Sequence, residues 1–222
     1  PLHPGIPYTA RILISDQNGW DDIQFIQVAL GGDLDDEEAS MFITLTPDEA
    51  GNPVAVMETG SDYIAVSNLY STVELDETNQ SIVIIQARFQ LTWQFPESFD
   101  TNGVSHFIPK VLVTDLPCNE GEVTPCFETR FGMGDDWWSL DNDFRFDTEQ
   151  GHIRAVELRN SENHYNSDNI ETIIGAGQAL RVNGRVLFSE DETPAPAGAF
   201  DVVFGDFENN WRTSTRADGE FS

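Results

Sequence analysis

Apolar and polar residues alternate along most of this chain, the pattern of strands with one buried face. The clearest case runs from Ile82 to Phe95. Val83, Ile85, Ala87, Phe89, Leu91, Trp93 and Phe95 fall on one face, and Gln86, Arg88, Gln90, Thr92 and Gln94 on the other. A single long, half-buried strand, curved or bridging two sheets, is the reading this run invites. Shorter runs predict strands over Tyr8–Ser15, Ile23–Leu30, Met41–Thr46, Pro53–Met57, Tyr63–Leu69, Phe107–Thr114 and Phe127–Phe131. Further on come Phe144–Phe146, Ile153–Arg159, Ala179–Phe188 and Phe200–Phe204. Asn18-Gly19, Gly31-Gly32, Gly51-Asn52-Pro53, Asn102-Gly103, Asn183-Gly184 and Asp218-Gly219 punctuate them as turns. No amphipathic helix stands out, and an acidic turn over Asp33–Ser40 is the one helical element expected. So many short strands predict an all-β fold, a β-sandwich.

The polar, Asn-rich stretch 160–177 suggests a boundary. The expected layout is a large sandwich domain over 1–165, a linker over 166–177 and a smaller β module over 178–222. In that last segment Arg185-Val186, Pro196-Ala197-Gly198 and the run Thr215-Arg216-Ala217-Asp218-Gly219-Glu220-Phe221 follow one another. This rhythm resembles the opening half of the Ig-like or carboxypeptidase-regulatory-like β-sandwich modules of microbial surface proteins. The resemblance covers about a fifth of the chain. It implies an incomplete module, completed by a neighbouring repeat or subunit as in strand donation. Two alternatives stay open: these strands pack on the first domain, or the segment simply stops there.

Charge narrows the setting. The chain has 222 residues with 39 acidic and 11 basic side chains, for a formal charge of −28. Lys110 is its only lysine. With no basic stripe to displace counterions from phosphates, nucleic acid and anionic membrane surfaces are excluded as partners. No apolar run is long enough for a membrane-spanning helix. A hydrophobic share of 39% is too high for a disordered acidic tail. Such an acidic, lysine-poor composition resembles proteins of marine or salt-adapted microbes, archaeal ones included. Like-sign charge keeps such a chain soluble while straining its compact state.

Cys118 and Cys126 enclose a seven-residue loop with Gly121 inside it, and Pro117 and Pro125 precede them. A disulfide here would contribute roughly 2–3 kcal/mol by restricting the unfolded chain. It predicts an oxidising, extracellular location. The tripeptide Asn79-Gln80-Ser81 is compatible with secretion. With neither a starting methionine nor a signal peptide, the sequence reads as a mature or excised piece of a longer precursor.

Two oxygen-rich clusters are candidate Ca2+ sites, because calcium accepts six to eight oxygens from flexible loops. One is Asp16, Asn18, Asp21 and Asp22; the other is Asp135, Asp136, Asp141 and Asp143. Each also reads as a solvated acidic turn, and Asp33–Glu38 reads as one throughout. Trp20, Trp137, Trp138 and Trp211 are candidates for a glycan-binding or interdomain surface, whereas Trp93 fits the core stripe. Signatures of catalysis are missing: His3, His106, His152 and His164 lack metalloprotease spacing, and no nucleophile elbow or phosphate loop occurs. The sequence therefore predicts a non-catalytic, secreted structural module of a filament, surface layer or repetitive adhesin. Its partners would be copies of itself or adjacent domains. The alternative is a glycan- or protein-binding module of a larger secreted protein.

Overall fold

The computed structural model of the protein describes residues 1–31, 34, 37–79, 81–96, 106–116, 128–132, 138–147, 156–159, 164–167, 184–205 and 210–221. They form two compact units. Leu2 and Pro4–Leu140 make the N-terminal unit, while Pro1, His3 and Asp141–Ser222 make the C-terminal one. Among the described residues no helix is long and apolar enough to cross a membrane.

The strands of the N-terminal unit are β1 (Pro7–Ser15), β2 (Ile23–Ala29), β3 (Ser40–Pro47), β4 (Pro53–Thr59), β5 (Ile64–Val66) and β6 (Thr72–Leu75). They continue with β7 (Ile82–Leu91), β8 (His106–Phe107), β9 (Lys110–Asp115), β10 (Glu128–Gly132) and β11 (Trp138–Ser139). One sheet has the order β1-β7-β5, with β6 also on β7; the other runs β10-β9-β2-β3-β4. Val83, Ile85, Ala87, Phe89 and Leu91 of β7 share one core with Ile26, Val28, Met41, Ile43 and Met57 of the facing sheet. The unit is thus a β-sandwich, as the alternation predicts. Strand β7 stops at Leu91, short of the expected Phe95. There Thr92 O accepts the Phe95 amide at 3.1 Å, and the turn drops Phe95 into the core. Trp93, out of the stripe, is only half-buried.

The segment read as one strand over Tyr63–Leu69 is instead β5, a 3-10 turn at Asn68–Tyr70, and β6. Both strands lie on the same edge of β7, with Ile64–Val66 opposite Phe89–Leu91 and Thr72–Leu75 opposite Val83–Gln86. At the gap between them Ser67 N donates to Arg88 O, and Arg88 N donates to Ser71 Oγ, each at 2.9 Å. The ladder is thereby carried across the interruption. The turn also aims Asn68 at β4, the last strand of the other sheet. Its Oδ1 accepts Met57 N at 2.8 Å and its Nδ2 donates to Met57 O at 2.9 Å, so one side chain imitates a strand neighbour. At Met57 the outer edge of β4 is thereby occupied by a side chain, one of the ways in which edge strands are blunted.

The C-terminal unit contains β12 (Phe144–Asp147), β13 (Val156–Arg159), β14 (His164–Ser167), β15 (Gly184–Phe188), β16 (Asp201–Gly205), β17 (Asn210–Ser214) and β18 (Glu220–Phe221). They form the sheets β12-β15-β18 and β14-β13-β16-β17. The division at Leu140/Asp141 falls earlier than the expected 1–165, 166–177 and 178–222 partition. The physical reason is long-range pairing: β12 pairs with β15 and β13 with β16, so residues before 178 belong with those after it. Asn166 and Ser167 of the expected linker end β14, and its remaining residues lie outside those described.

The residues of the turn-rich rhythm are structural. Val186, Thr215 and Phe221 are all buried. Thr215 Oγ1 donates to Pro196 O at 3.0 Å and accepts Phe200 N at 3.3 Å. Gly219 has φ +67°, and a Cβ there would stand 2.3 Å from Val186 O. Gly51, at the β3–β4 turn, has φ +82° but open space around it. Gly51→Ala is therefore expected to lose about 1–2 kcal/mol from its backbone conformation alone. Gly219→Ala meets the same strain plus a backbone clash and should lose clearly more. Urea denaturation of each variant against the parent protein measures both, and equal losses would refute the clash.

Candidate functional site

Strand β1 ends its sheet. It pairs with β7 over nine residues from Pro7↔Gln90 to Ser15↔Ile82, and its other edge has no strand partner among the described residues. Beside it lies a cleft of about 1030 Å³ within the N-terminal unit. Tyr8, Ala10 and Ile12 of β1 line one side; Val111 and Val113 of β9 and the indole of Trp138 line the other. These inward residues are only half-buried, unlike the sealed row on β7. Apolar side chains left partly exposed along an edge with no strand partner among the described residues form a surface suited to an added extended strand.

The aromatic floor is rigid. Trp138 stacks on Phe107 with centroids 4.4 Å apart, touches Phe95 at 5.4 Å, and donates its Nε1–H to Leu30 O at 2.7 Å. Its polar atom is thus committed to the backbone, while its half-buried ring lines the cleft. Trp20 is likewise a core residue at 8% exposure, not a surface one. Trp137 lies outside the described residues, and Trp211 is placed only as part of β17, opposite Phe204.

The loop before β2 is held by its own polar groups. Asp16 Oδ1 accepts Asn18 N at 2.7 Å, Asn18 Nδ2 donates to Asp22 Oδ2 at 2.9 Å, and Trp20–Asp22 form a 3-10 turn. Asp16, Asp21 and Asp22 contribute to no three-ligand gathering of His, Cys, Asp or Glu among the described residues. Asp115 of β9 joins their electrostatic neighbourhood instead. Burial pushes its carboxyl above the ordinary value of 3.8, and repulsion from Asp16 and Asp22 adds to that. Both Asp16 and Asp115 line the cleft, giving one end of a mainly apolar groove an acidic character.

One such gathering does exist, in the C-terminal unit. His3, Asp141 and Asp191 present ligand-type atoms all within 4.8 Å of one another. His3 Nε2 stands 3.1 Å from Asp191 Oδ1 and 3.7 Å from Asp141 Oδ2. The imidazole packs 4.3 Å from the Phe188 ring. Asp141 accepts the Glu190 amide on Oδ2 at 2.8 Å and the Asp143 amide on Oδ1 at 3.2 Å, which fixes its carboxylate plane. Asp191 Oδ1 accepts Thr193 N at 3.0 Å. Burial raises the Asp191 carboxyl, but the Thr193 hydrogen bonds and the attraction of His3 outweigh it and leave it below 3.8.

Of the second expected calcium cluster, Asp141 thus sits beside His3 and Asp191, while Asp143 is exposed and contributes its backbone. Asp135 and Asp136 lie outside the described residues, as do Cys118 and Cys126. Sequence reasoning missed His3, Asp115 and Asp191 as site residues. Only Asp191 left a trace: an Asp two residues before Thr193 is a turn-forming pair. No protein-family model, no curated protein and no solved structure matches the chain.

Because Asp115 has a raised pKa in the folded state, its ionisation weakens folding at neutral pH. That penalty grows as pH rises from about 3.8 through the raised value. Asp115→Asn should raise the melting temperature at pH 7, and the gain should vanish below about pH 3.8. Thermal melts across that range measure it; a gain that persists in acid would refute the electrostatic cause.

Proposed function

We propose that the protein is a non-catalytic, secreted structural module that assembles by adding an extended strand from a second copy along β1. The observation that carries this reading is the β1 edge, without a strand partner among the described residues, lying beside the half-exposed, mainly apolar cleft. Strand addition satisfies the edge's N–H and C=O groups and covers Tyr8, Ala10 and Ile12 in the same step. The contrast with β4 supports the reading: there Asn68 interrupts the edge at Met57, whereas no such side chain is bonded along β1 among the described residues. Arg11, an exposed side chain on the cleft's rim, offers an acidic partner a point of attraction, and this chain carries 39 acids.

Filaments, surface layers and repetitive adhesins are the assemblies such a module suits. The resemblance of the 178–222 rhythm to microbial surface modules points the same way, and the extracellular setting rests on the expected Cys118–Cys126 bridge. The glycan-binding alternative is less well supported, since the Trp20 ring is in the core and the Trp138 N–H is bonded to Leu30 O.

A charge of −28 opposes association between copies, and salt weakens that repulsion. Self-association is therefore expected to increase from about 0.05 M to about 1 M NaCl, where the Debye length is near 3 Å. Ala10→Lys places a charge on the inward row of the edge strand, a device that blocks strand addition. It should abolish the salt-promoted oligomers while leaving the circular dichroism spectrum unchanged. Light scattering after size exclusion and negative-stain electron microscopy provide the readout. A parent protein that stays monomeric at high concentration in both salts, or oligomers indifferent to Ala10→Lys, would overturn the proposal.

A further inference from the structure

We infer that His3, Asp141 and Asp191 form a binding site for a divalent transition cation of the zinc class. Three features separate this cluster from the acidic turns elsewhere in the chain. It includes an imidazole, two of its members are almost fully buried, and its residues come from three distant parts of the sequence.

Charge is the first argument. His3 and Asp141 are each 3% exposed, and the Asp191 side chain is 37% exposed. Among the described residues neither carboxylate pairs with a lysine or arginine. A protonated imidazole would leave two carboxylates facing one positive charge, and a neutral one would leave them offset by hydrogen bonds alone. Removing carboxylates from water is costly unless opposite charge compensates them. A divalent cation supplies two positive charges against two negative ones and leaves the site neutral.

Geometry is the second. Zinc holds imidazole nitrogen and carboxylate oxygen at about 2.0–2.2 Å in tetrahedral sites, which sets neighbouring ligand atoms about 3.3 Å apart. The two separations from His3, 3.1 and 3.7 Å, bracket that value, and all three ligand atoms lie within 4.8 Å of one another. The orienting shell is in place as well: backbone amides of Glu190, Asp143 and Thr193 hold the two carboxylates. Hydrogen-bonded ligands of this kind are a regular feature of metal sites. Three protein ligands, with the exposed Asp191 at the rim, leave a fourth position for water.

Donor chemistry decides the ion. Calcium takes six to eight oxygens and magnesium retains most of its water, whereas imidazole favours zinc and its transition-metal neighbours. The calcium expected at the acidic loops is therefore not the ion this site selects.

The test is calorimetric titration of the chelator-stripped full chain with Zn2+ and separately with Ca2+, alongside NMR of the imidazole resonances. The His3 signal is assigned by its loss in His3→Gln. One equivalent of Zn2+ should bind, with the His3 ring resonances shifted. Asp191→Asn, a change at a partly exposed position checked by circular dichroism, should weaken that step at least about tenfold. Ca2+ at the same concentration should leave the His3 signals in place. The inference is overturned if no stoichiometric Zn2+ step occurs, or if the step survives in Asp191→Asn with His3 unmoved. It is equally overturned if Ca2+ shifts the His3 resonances at comparable affinity. Self-association is not among these readouts, so the outcome is independent of the strand-addition proposal.

Discussion

The N-terminal unit depends on the fact that a strand has two hydrogen-bonding edges and two faces, and that β7 puts its inner face and its two edges to different uses. Its inner face supplies the row from Val83 to Leu91 that the opposing sheet packs against. One edge is taken along its length by β1. The other is shared by β6 and β5, with Ser67 and Ser71 carrying the ladder past Arg88 between them. A single long strand would have filled that second edge. Splitting it forces a 3-10 turn outward, and that turn brings Asn68 within reach of Met57.

Asymmetry follows from this local event. At β4 an amide side chain bonds Met57 as a neighbouring backbone would. Around the turn Leu69 and Tyr70 stay exposed, the latter with Arg88 over its ring at 5.8 Å. At β1 no comparable closure exists among the described residues, and the inward row of Tyr8, Ala10 and Ile12 remains half-buried. A sandwich needs its interior covered on both sides, because apolar surface left in water forfeits about 25 cal/mol per Å². The open flank is therefore where binding energy remains to be gained. The −28 charge opposes its indiscriminate use.

In the C-terminal unit the same logic works through smaller parts. Its strands are short, and Phe144, Phe188 and Phe200 supply a compact aromatic centre with ring separations of 4.7 and 4.4 Å. Turn geometry does much of the remaining positioning, through Thr215 and the close passage of Gly219 over Val186. The ion pair Arg185–Glu220, 3.1 Å long but half exposed at both ends, contributes little by comparison. Asp141 has a different role. Its backbone-bonded carboxylate lies beside His3, so a residue from the start of the chain becomes part of a unit otherwise built from its end.

The amino-acid sequence by itself determined the all-β class, the inward row on β7 and most strand positions, because a period of two is written locally. It also marked the turns at Asp48–Asn52 and Asp76–Asn79, where short-range Asp hydrogen bonds need no distant partner. Tertiary structure decided what depends on residues far apart. It ended β7 at Leu91, since a turn at Thr92 seats Phe95 better than continued pairing would. It assigned β12 and β13 to the C-terminal unit, because their partners lie tens of residues later, and polar β14 (His164–Ser167) carries no apolar alternation to announce it. It placed Trp20 in the core, which alternation around a turn cannot specify. And it brought His3, Asp141 and Asp191 together across 138 and 188 positions of separation, where no spacing rule operates and only folding sets the distances.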